Sequence, residues 1–201
     1  MRQVQPPSAR HRIENNFASL RITIPSRRNW ILVAFLSVWS AGWAFGEIAA
    51  GSILVTQLIA LLTGKHLLPG MTGAMGVGAN LFLLLWLAFW TVGGGVALYS
   101  LFWMLAGKEV IDVSGESLVI RKMVLGFSRP KQYNTAYVDH LRLSPTAQYS
   151  YRAMGTMGGT LAFDYGAQTV YFAAGATEPE AQEIYAAIKD RFPNLTKGVE
   201  A

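Results

Sequence analysis

The sequence predicts a two-helix membrane hairpin joined without a linker to a small antiparallel β-domain, a partly open barrel of about six or seven strands ending in an amphipathic helix. Three observations carry this. Hydrophobic residues make up 52% of the 201 and charged residues only 14%, against about 25% charged in soluble domains, so parts of the chain must be nearly free of charge. Two stretches are: between Trp30 and Leu62 the only formal charge is Glu47, and between Ala79 and Ala106 there is none. After Gly107 the apolar period changes to two, the mark of β-structure.

The second apolar stretch, NLFLLLWLAFWTVGGGVALYSLFWMLA, exceeds the roughly 20 residues that cross a hydrocarbon core of about 30 Å. Its Gly93, Gly94 and Gly95 would weaken a soluble helix, but in lipid small residues admit a neighbouring helix. Packing within the hairpin is the plain reading, and a homodimer through these glycines is the alternative. The first stretch, at ~1.5 Å per residue, spans about 50 Å, too long for one crossing at ordinary tilts. A break is therefore expected, with Glu47 about 26 Å from Trp30, near the far headgroups, and GSILVTQLIALLTGK continuing as an interfacial helix. An acid inside a membrane is a functional-site candidate by default, but neither stretch offers Glu47 a charged partner. A cleaved secretory leader is not expected, because the apolar run starts late and is too long. The opening MRQVQPPSARHRIENN is polar and Pro-containing and reads as a disordered tail.

Orientation follows from the basic residues. Arg2, Arg10, Arg12, Arg21, Arg27 and Arg28 precede the first stretch, the connection TGKHLLPGMTGAMGVGAN holds only Lys65, and Lys108 with nine further Lys and Arg follows the second. Both termini are expected in the cytoplasm, with Arg27, Arg28 and Lys108 setting topology. The net charge of +5 then belongs to the cytoplasmic parts. His66 in the connection reads as an ordinary loop residue.

Beyond Gly107 the expected strands are EVIDV (109–113), SLVIRKMV (117–124), FSRPKQYN (127–134), YVDHLRL (137–143), TLAFDY (160–165) and TVYFA (169–173). Ser114 with Gly115, Gly126, Ser144 with Pro145, and Gly166 supply turns. Pro130 lacks a backbone donor and marks an edge or a bulge. SLRITI (19–24) alternates in the same way and can join the same sheet as a seventh strand. In TEPEAQEIYAAIKDRF, Thr177 and Glu180 form a capping-box pattern, Pro179 suits a first turn, and Ala181, Ile184, Tyr185, Ile188 and Phe192 share one helix face.

The succession GKEVIDVSGESLVIRKMVLGFSRPKQYN, the FDYGAQTVYF hairpin and EPEAQEIYAAIKDRF together resemble bacterial two-span membrane proteins that carry a pleckstrin-homology-like (PH-like) domain. The resemblance covers roughly residues 19 to 192. It implies a PH-like barrel with a C-terminal helix, in a multi-pass protein of the bacterial inner membrane, and transfers no substrate or binding residues. The expected organisation is a disordered tail over 1–18, a strand within 19–28, the hairpin over 29–106, the PH-like domain over 107–193 and a tail over 194–201.

Catalytic patterns are absent from the sequence: no P-loop, HExxH, GxSxG or dinucleotide fingerprint occurs. The lack of cysteine excludes disulfides, thiolate metal sites and cysteine nucleophiles. His11, His66 and His140 are widely spaced, and Asp139 and Asp164 read as turn-capping acids. Neither cofactor nor metal is expected, and the chain does not read as an enzyme. The long loop SPTAQYSYRAMGTMGG, with Tyr149, Tyr151, Met154 and Met157, is either a partner contact or a plain loop. Arg121, Lys122, Arg129 and Lys131 can gather near one hairpin turn, as a surface for anionic lipid or a partner. The expected function is protein docking or assembly at the membrane surface, with anionic-lipid binding as the alternative and a transporter or membrane enzyme using Glu47 ranked lower. Nucleic acid is not expected, since no basic-aromatic stripe occurs.

Overall fold

The computed structural model describes residues 10–64, 73–144 and 159–196. Lys65, His66 and the loop residues Tyr149, Tyr151, Met154 and Met157 lie outside the described residues, as do the ends of both expected tails. The chain forms two compact units, Asn29–Leu101 on the one hand and Met1–Arg28 with Phe102–Ala201 on the other.

The helical unit contains α1 (Trp30–Thr63) and most of α2 (Gly73–Ala106), each helix 34 residues long. Asn29 caps the start of α1 by accepting the Leu32 N–H, and Gly64, at φ 66°, closes its end with an N–H to Ala60 O. The expected break after Glu47 is not there, so α1 is one uninterrupted helix. Nothing between residues 48 and 63 offers a backbone group a better partner than the helix itself, and in apolar surroundings every N–H and C=O must be satisfied internally. For the same reason GVGAN, expected in the connection, is helical. Where the two helices meet, the Trp43 indole N–H donates to Trp90 O at 3.1 Å. Gly94 makes room for that indole: a Cβ there would stand 1.9 Å from Trp43 Cε2, whereas Gly93 and Gly95 face open space. Trp86 stacks on Trp90 with centroids 4.8 Å apart. Both helices are long and apolar enough to cross a membrane, and outward Phe45 and Phe89 remain 77% and 78% exposed, which suits lipid and not water.

The β-rich unit starts with β1 (Arg12–Asn15) and β2 (Ser19–Pro25), and resumes after α2 with β3 (Lys108–Ser114), β4 (Ser117–Val124) and β5 (Phe127–Asn134). These form one antiparallel sheet in the order β1-β2-β3-β4-β5. A short 3-10 turn at Thr135–Tyr137 leads to β6 (Val138–Leu143), β7 (Leu161–Tyr165) and β8 (Gln168–Phe172), a second antiparallel sheet in that order. β1 corrects the reading of residues 1–18 as wholly disordered: Ile13 pairs with Ile22 and Glu14 with Arg21.

Side chains alternate as a pleated strand requires. Leu20, Ile22 and Ile24 of β2, Ile111 and Val113 of β3, and Leu118 and Ile120 of β4 face one core with Val138, Leu161, Phe163 and Phe172 of the second sheet. Tyr133 meets Phe163 and Tyr165 edge-on, each at 5.2 Å. The helix α3 (Glu178–Arg191) covers this core with Ala181, Ile184 and Ile188, all buried. Its N-terminus has both halves of a capping box between Thr177 and Glu180.

The expected partly open PH-like barrel of about six or seven strands is overturned. The five-stranded and three-stranded sheets are separate ladders, and both are open. The chain leaves β5 through the 3-10 turn, where Asn134 Oδ1 accepts the Ala136 N–H, and β5 and β6 run into different sheets. Alternation specifies which face of a strand is buried, but not which edges pair. β5 stays an edge strand, exposed at every position but Tyr133, and Pro130 with Arg129 and Lys131 protects it from adding further strands.

Candidate functional site

The β-rich unit has two distinct ends, set by strand register. At one, the chain arrives from and departs to the apolar helices: Pro25 pairs with Lys108, and Lys108 with Met123. Here Ser26 N–H donates to Gly107 O at 2.9 Å, Ser26 Oγ to Met104 O at 3.2 Å and the Arg28 guanidinium to Leu105 O at 3.2 Å. Burial, and then the nearby charge of Arg10, lower the Arg27 guanidinium from its ordinary range. The three residues read as topology-setting thus lie together at this junction end, with Lys108 exposed on its rim.

The four cations proposed from sequence do not share a surface. Cross-strand partners project to the same face, and Lys122 pairs with Arg129 while Lys131 pairs with Ile120, which puts these three on the core-facing side. Arg121 pairs with Pro130 on the other side. There its guanidinium donates to Asp112 at 2.7 Å, and Asp112 also accepts from Arg21 at 2.6 Å. Arg129 and Lys131 are exposed, on the edge strand.

Sequence reasoning missed Glu109. It is 1% exposed, and its carboxylate accepts the N–H of Ala173 at 3.2 Å and of Ala174 at 3.1 Å, so one side chain ties β3 to the end of β8 where no ladder does. Burial raises this carboxyl above its ordinary range, opposed by the charge of Lys122, its cross-strand partner, and by the two N–H groups. Alternation with Ile111 and Val113 was the available signal. Asp164, expected to cap a turn, instead accepts two bonds from Arg142 at 2.7 and 2.9 Å and one from Thr169 at 2.7 Å. Those bonds, Arg142 first, hold its carboxyl below the usual range.

The other end lies at the Ser114–Ser117 turn, about 20 Å from Lys108 along β3. It carries a cleft of 610 Å³ between that turn, the 3-10 turn with Asn134, Thr135 and Ala136, and the end of α3 with Arg191, Phe192, Pro193 and Asn194. Three of its polar side chains are bonded within the domain, while Glu116, Asp139 and Asn194 also line it. Ser114 Oγ accepts the Ser117 N–H at 3.0 Å, Thr135 Oγ1 donates to Gly115 O at 2.6 Å, and Arg191 donates to Phe17 O at 2.6 Å. Such bonds fix the shape of the walls. Among the described residues no group of three or more His, Asp or Glu is arranged to hold a metal.

In the helical unit, Glu47 accepts a hydrogen bond from the Thr91 hydroxyl. It therefore has a polar partner, although not a charged one.

Taken together, two apolar helices and a β-rich unit define a membrane-associated protein with a β-rich domain. No protein-family model, curated protein or solved structure matches the chain, so the PH-like assignment suggested by the strand succession finds no support there.

Proposed function

We propose that the chain is a non-enzymatic docking module of the bacterial inner membrane, both termini cytoplasmic, whose β-rich domain presents its far-end cleft to a polypeptide partner and so helps assemble or regulate a membrane complex. The cleft carries this reading. Its volume of 610 Å³ is within the range of roughly 300–1,000 Å³ typical of binding pockets, and its walls are braced by the bonds of Ser114, Thr135 and Arg191, with Glu116, Asp139 and Asn194 left to meet polar groups of a partner. It also lies at the Ser114 end of β3, the end away from Lys108.

A photo-crosslinking residue placed at Glu116 and, separately, at Asn194 of the full chain in native membranes tests this. Both positions are expected to yield an adduct with one and the same polypeptide, whereas Gln182 on the exposed side of α3 yields none. Filling the cleft with Ala136→Trp is expected to remove both adducts. Absence of an adduct at both cleft positions, or equal yield in Ala136→Trp, refutes the reading.

A further inference from the structure

We infer that the β4–β5 hairpin tip is a lipid-engaging wedge, with Leu125 and Phe127 entering the headgroup boundary of an anionic bilayer and Arg129 and Lys131 meeting its phosphates. This goes beyond the docking reading, which concerns the opposite end of the domain, and does not depend on it.

The first observation is the turn itself. Val124 pairs with Phe127, so Leu125 and Gly126 make a two-residue connection, with φ of 49° and 88°. Positive φ at both positions is the type I′ pattern, which favours Asn-Gly or Gly-Gly. Glycine satisfies it at the second position. A leucine at the first carries backbone strain that Asn would largely relieve, and its side chain gains no burial in return, being 58% exposed. Phe127, the next side chain, is 84% exposed. Strain held at an exposed apolar tip points to a contact outside the domain.

The second observation is position. Met123 stands level with Lys108, and Lys108 is two residues past the last residue of α2, Ala106. Leu125, two residues beyond Met123, therefore projects about 7 Å past Lys108, toward the end from which the chain emerges from its apolar helices. The strand register alone gives this, since β3 and β4 belong to one ladder.

The third is charge. Arg129 and Lys131 follow the tip on the exposed edge strand, on the same face as each other, and neither makes an ion pair among the described residues. Apolar side chains at a tip with cations set two to four residues back are the order in which a bilayer presents acyl chains and then phosphates. A polypeptide groove of matching chemistry is the competing occupant, but nothing would require it to lie at the junction end. Arg121, engaged with Asp112 on the other face, has no part in the wedge.

The natural chain has no cysteine, so a spin label at Ser128→Cys reports on the tip of the full chain with both apolar residues intact. The protein is reconstituted in vesicles of phosphatidylcholine with phosphatidylglycerol, and a label at Glu116→Cys serves as the far-end reference. The label at 128 is expected to be more accessible to oxygen and less to a nickel chelate than the label at 116. Leu125→Asn with Phe127→Ser should bring it to the aqueous values of 116, while amide exchange in β4 and β5 stays slow, because Asn suits the turn. Arg129→Gln with Lys131→Gln should shift the inserted-to-withdrawn ratio about thirtyfold toward withdrawal, as two juxtamembrane cations imply. The wedge is overturned if the label at 128 matches that at 116 in the unmodified background. It is equally overturned if that label is shielded from both reagents, the signature of a protein contact. Unchanged insertion in Arg129→Gln with Lys131→Gln overturns the anionic-lipid assignment.

Discussion

Neutralising Glu180 tests how α3 is held on the core. Burial by itself would raise this carboxyl, but the Thr177 N–H, then the Arg10 guanidinium, outweigh it and bring the carboxyl from 4.5 down to about 2. The Thr177 bond is 2.7 Å and the Arg10 bond 3.1 Å. A displacement of about 2.5 units at ~1.4 kcal/mol each is about 3 kcal/mol. The side chain is only 11% exposed, but Arg10 is 40% exposed, so screening of that partner brings the expectation to about 2 kcal/mol. The folded value is depressed, so the stabilisation is complete above pH 4.5 and is lost as pH falls toward 2. Glu180→Gln has no such dependence. In the full chain in detergent, amides of α3 should exchange roughly thirtyfold faster in Glu180→Gln than in the natural protein near pH 6, and the two rates should converge as pH approaches 2. A constant ratio from pH 6 to 2, or no difference at pH 6, would refute the assignment of the carboxylate as the clamp on the helix start.

Three further outcomes follow from close contacts. Gly107→Ala would set a Cβ 2.3 Å from Trp103 O; strain of about 1–3 kcal/mol should open the junction, read as faster amide exchange over residues 103–110 with α3 unaffected. Gly94→Ala should part Trp43 from Trp90 and change the near-ultraviolet dichroism of the tryptophans, whereas Gly95→Ala, facing open space, should leave it unchanged. Glu109→Ala strands two buried N–H groups and should cost about 2–4 kcal/mol, while Glu109→Gln keeps an acceptor, sheds the desolvated charge and should cost far less. Since burial raises this carboxyl, the natural domain should gain stability from it as pH falls through the raised value, and Glu109→Gln should lose that gain when both are followed by exchange of the β8 amides.

Much of this was legible from periodicity, and the failures have separate physical origins. β4 and β5 occupy the residues that alternation marks, and Gly126 takes the positive φ a two-residue turn requires. The same alternation separates Arg121 from Lys122, and with Gly126 as pivot it sets Lys122 opposite Arg129. Counting cations along the chain obscured that division, although strand parity contains it. Barrel closure was not legible, because edge pairing depends on partners distant in sequence: RIEN has too little apolar patterning to announce β1, which forms because β2 offers it an open ladder. Nor could sequence tell that the carboxylate of Glu109 meets the N–H groups of Ala173 and Ala174, 64 and 65 positions away. The break expected in α1 came from comparing its length with a bilayer, a constraint on tilt and register that does not act on the hydrogen bonds of the helix.

The two open sheets leave the β-rich unit without a continuous ladder around its core. A closed barrel would hold its strands by a continuous ladder, and attachment at any point would suffice to orient it. Here the sheets are joined by core packing and by Glu109, which sits one residue past Lys108 on the strand that leaves α2. Gly107 is bonded to Ser26, and the strand that follows it pairs with β2 and β4 and reaches the end of β8 through the Glu109 side chain and the shared core. β3 is central in its sheet and runs without a bulge from Lys108 to the turn at Ser114, which forms one wall of the cleft. Strand pairs resist sliding because a one-residue slip would turn Ile111 and Val113 out of the core. The cleft wall at Ser114 and the Ser26–Gly107 bond thus lie at opposite ends of one strand, and a partner that tilts that strand works against its pairing to β2 and β4, the core side chains Ile111 and Val113, and the Glu109 bridge.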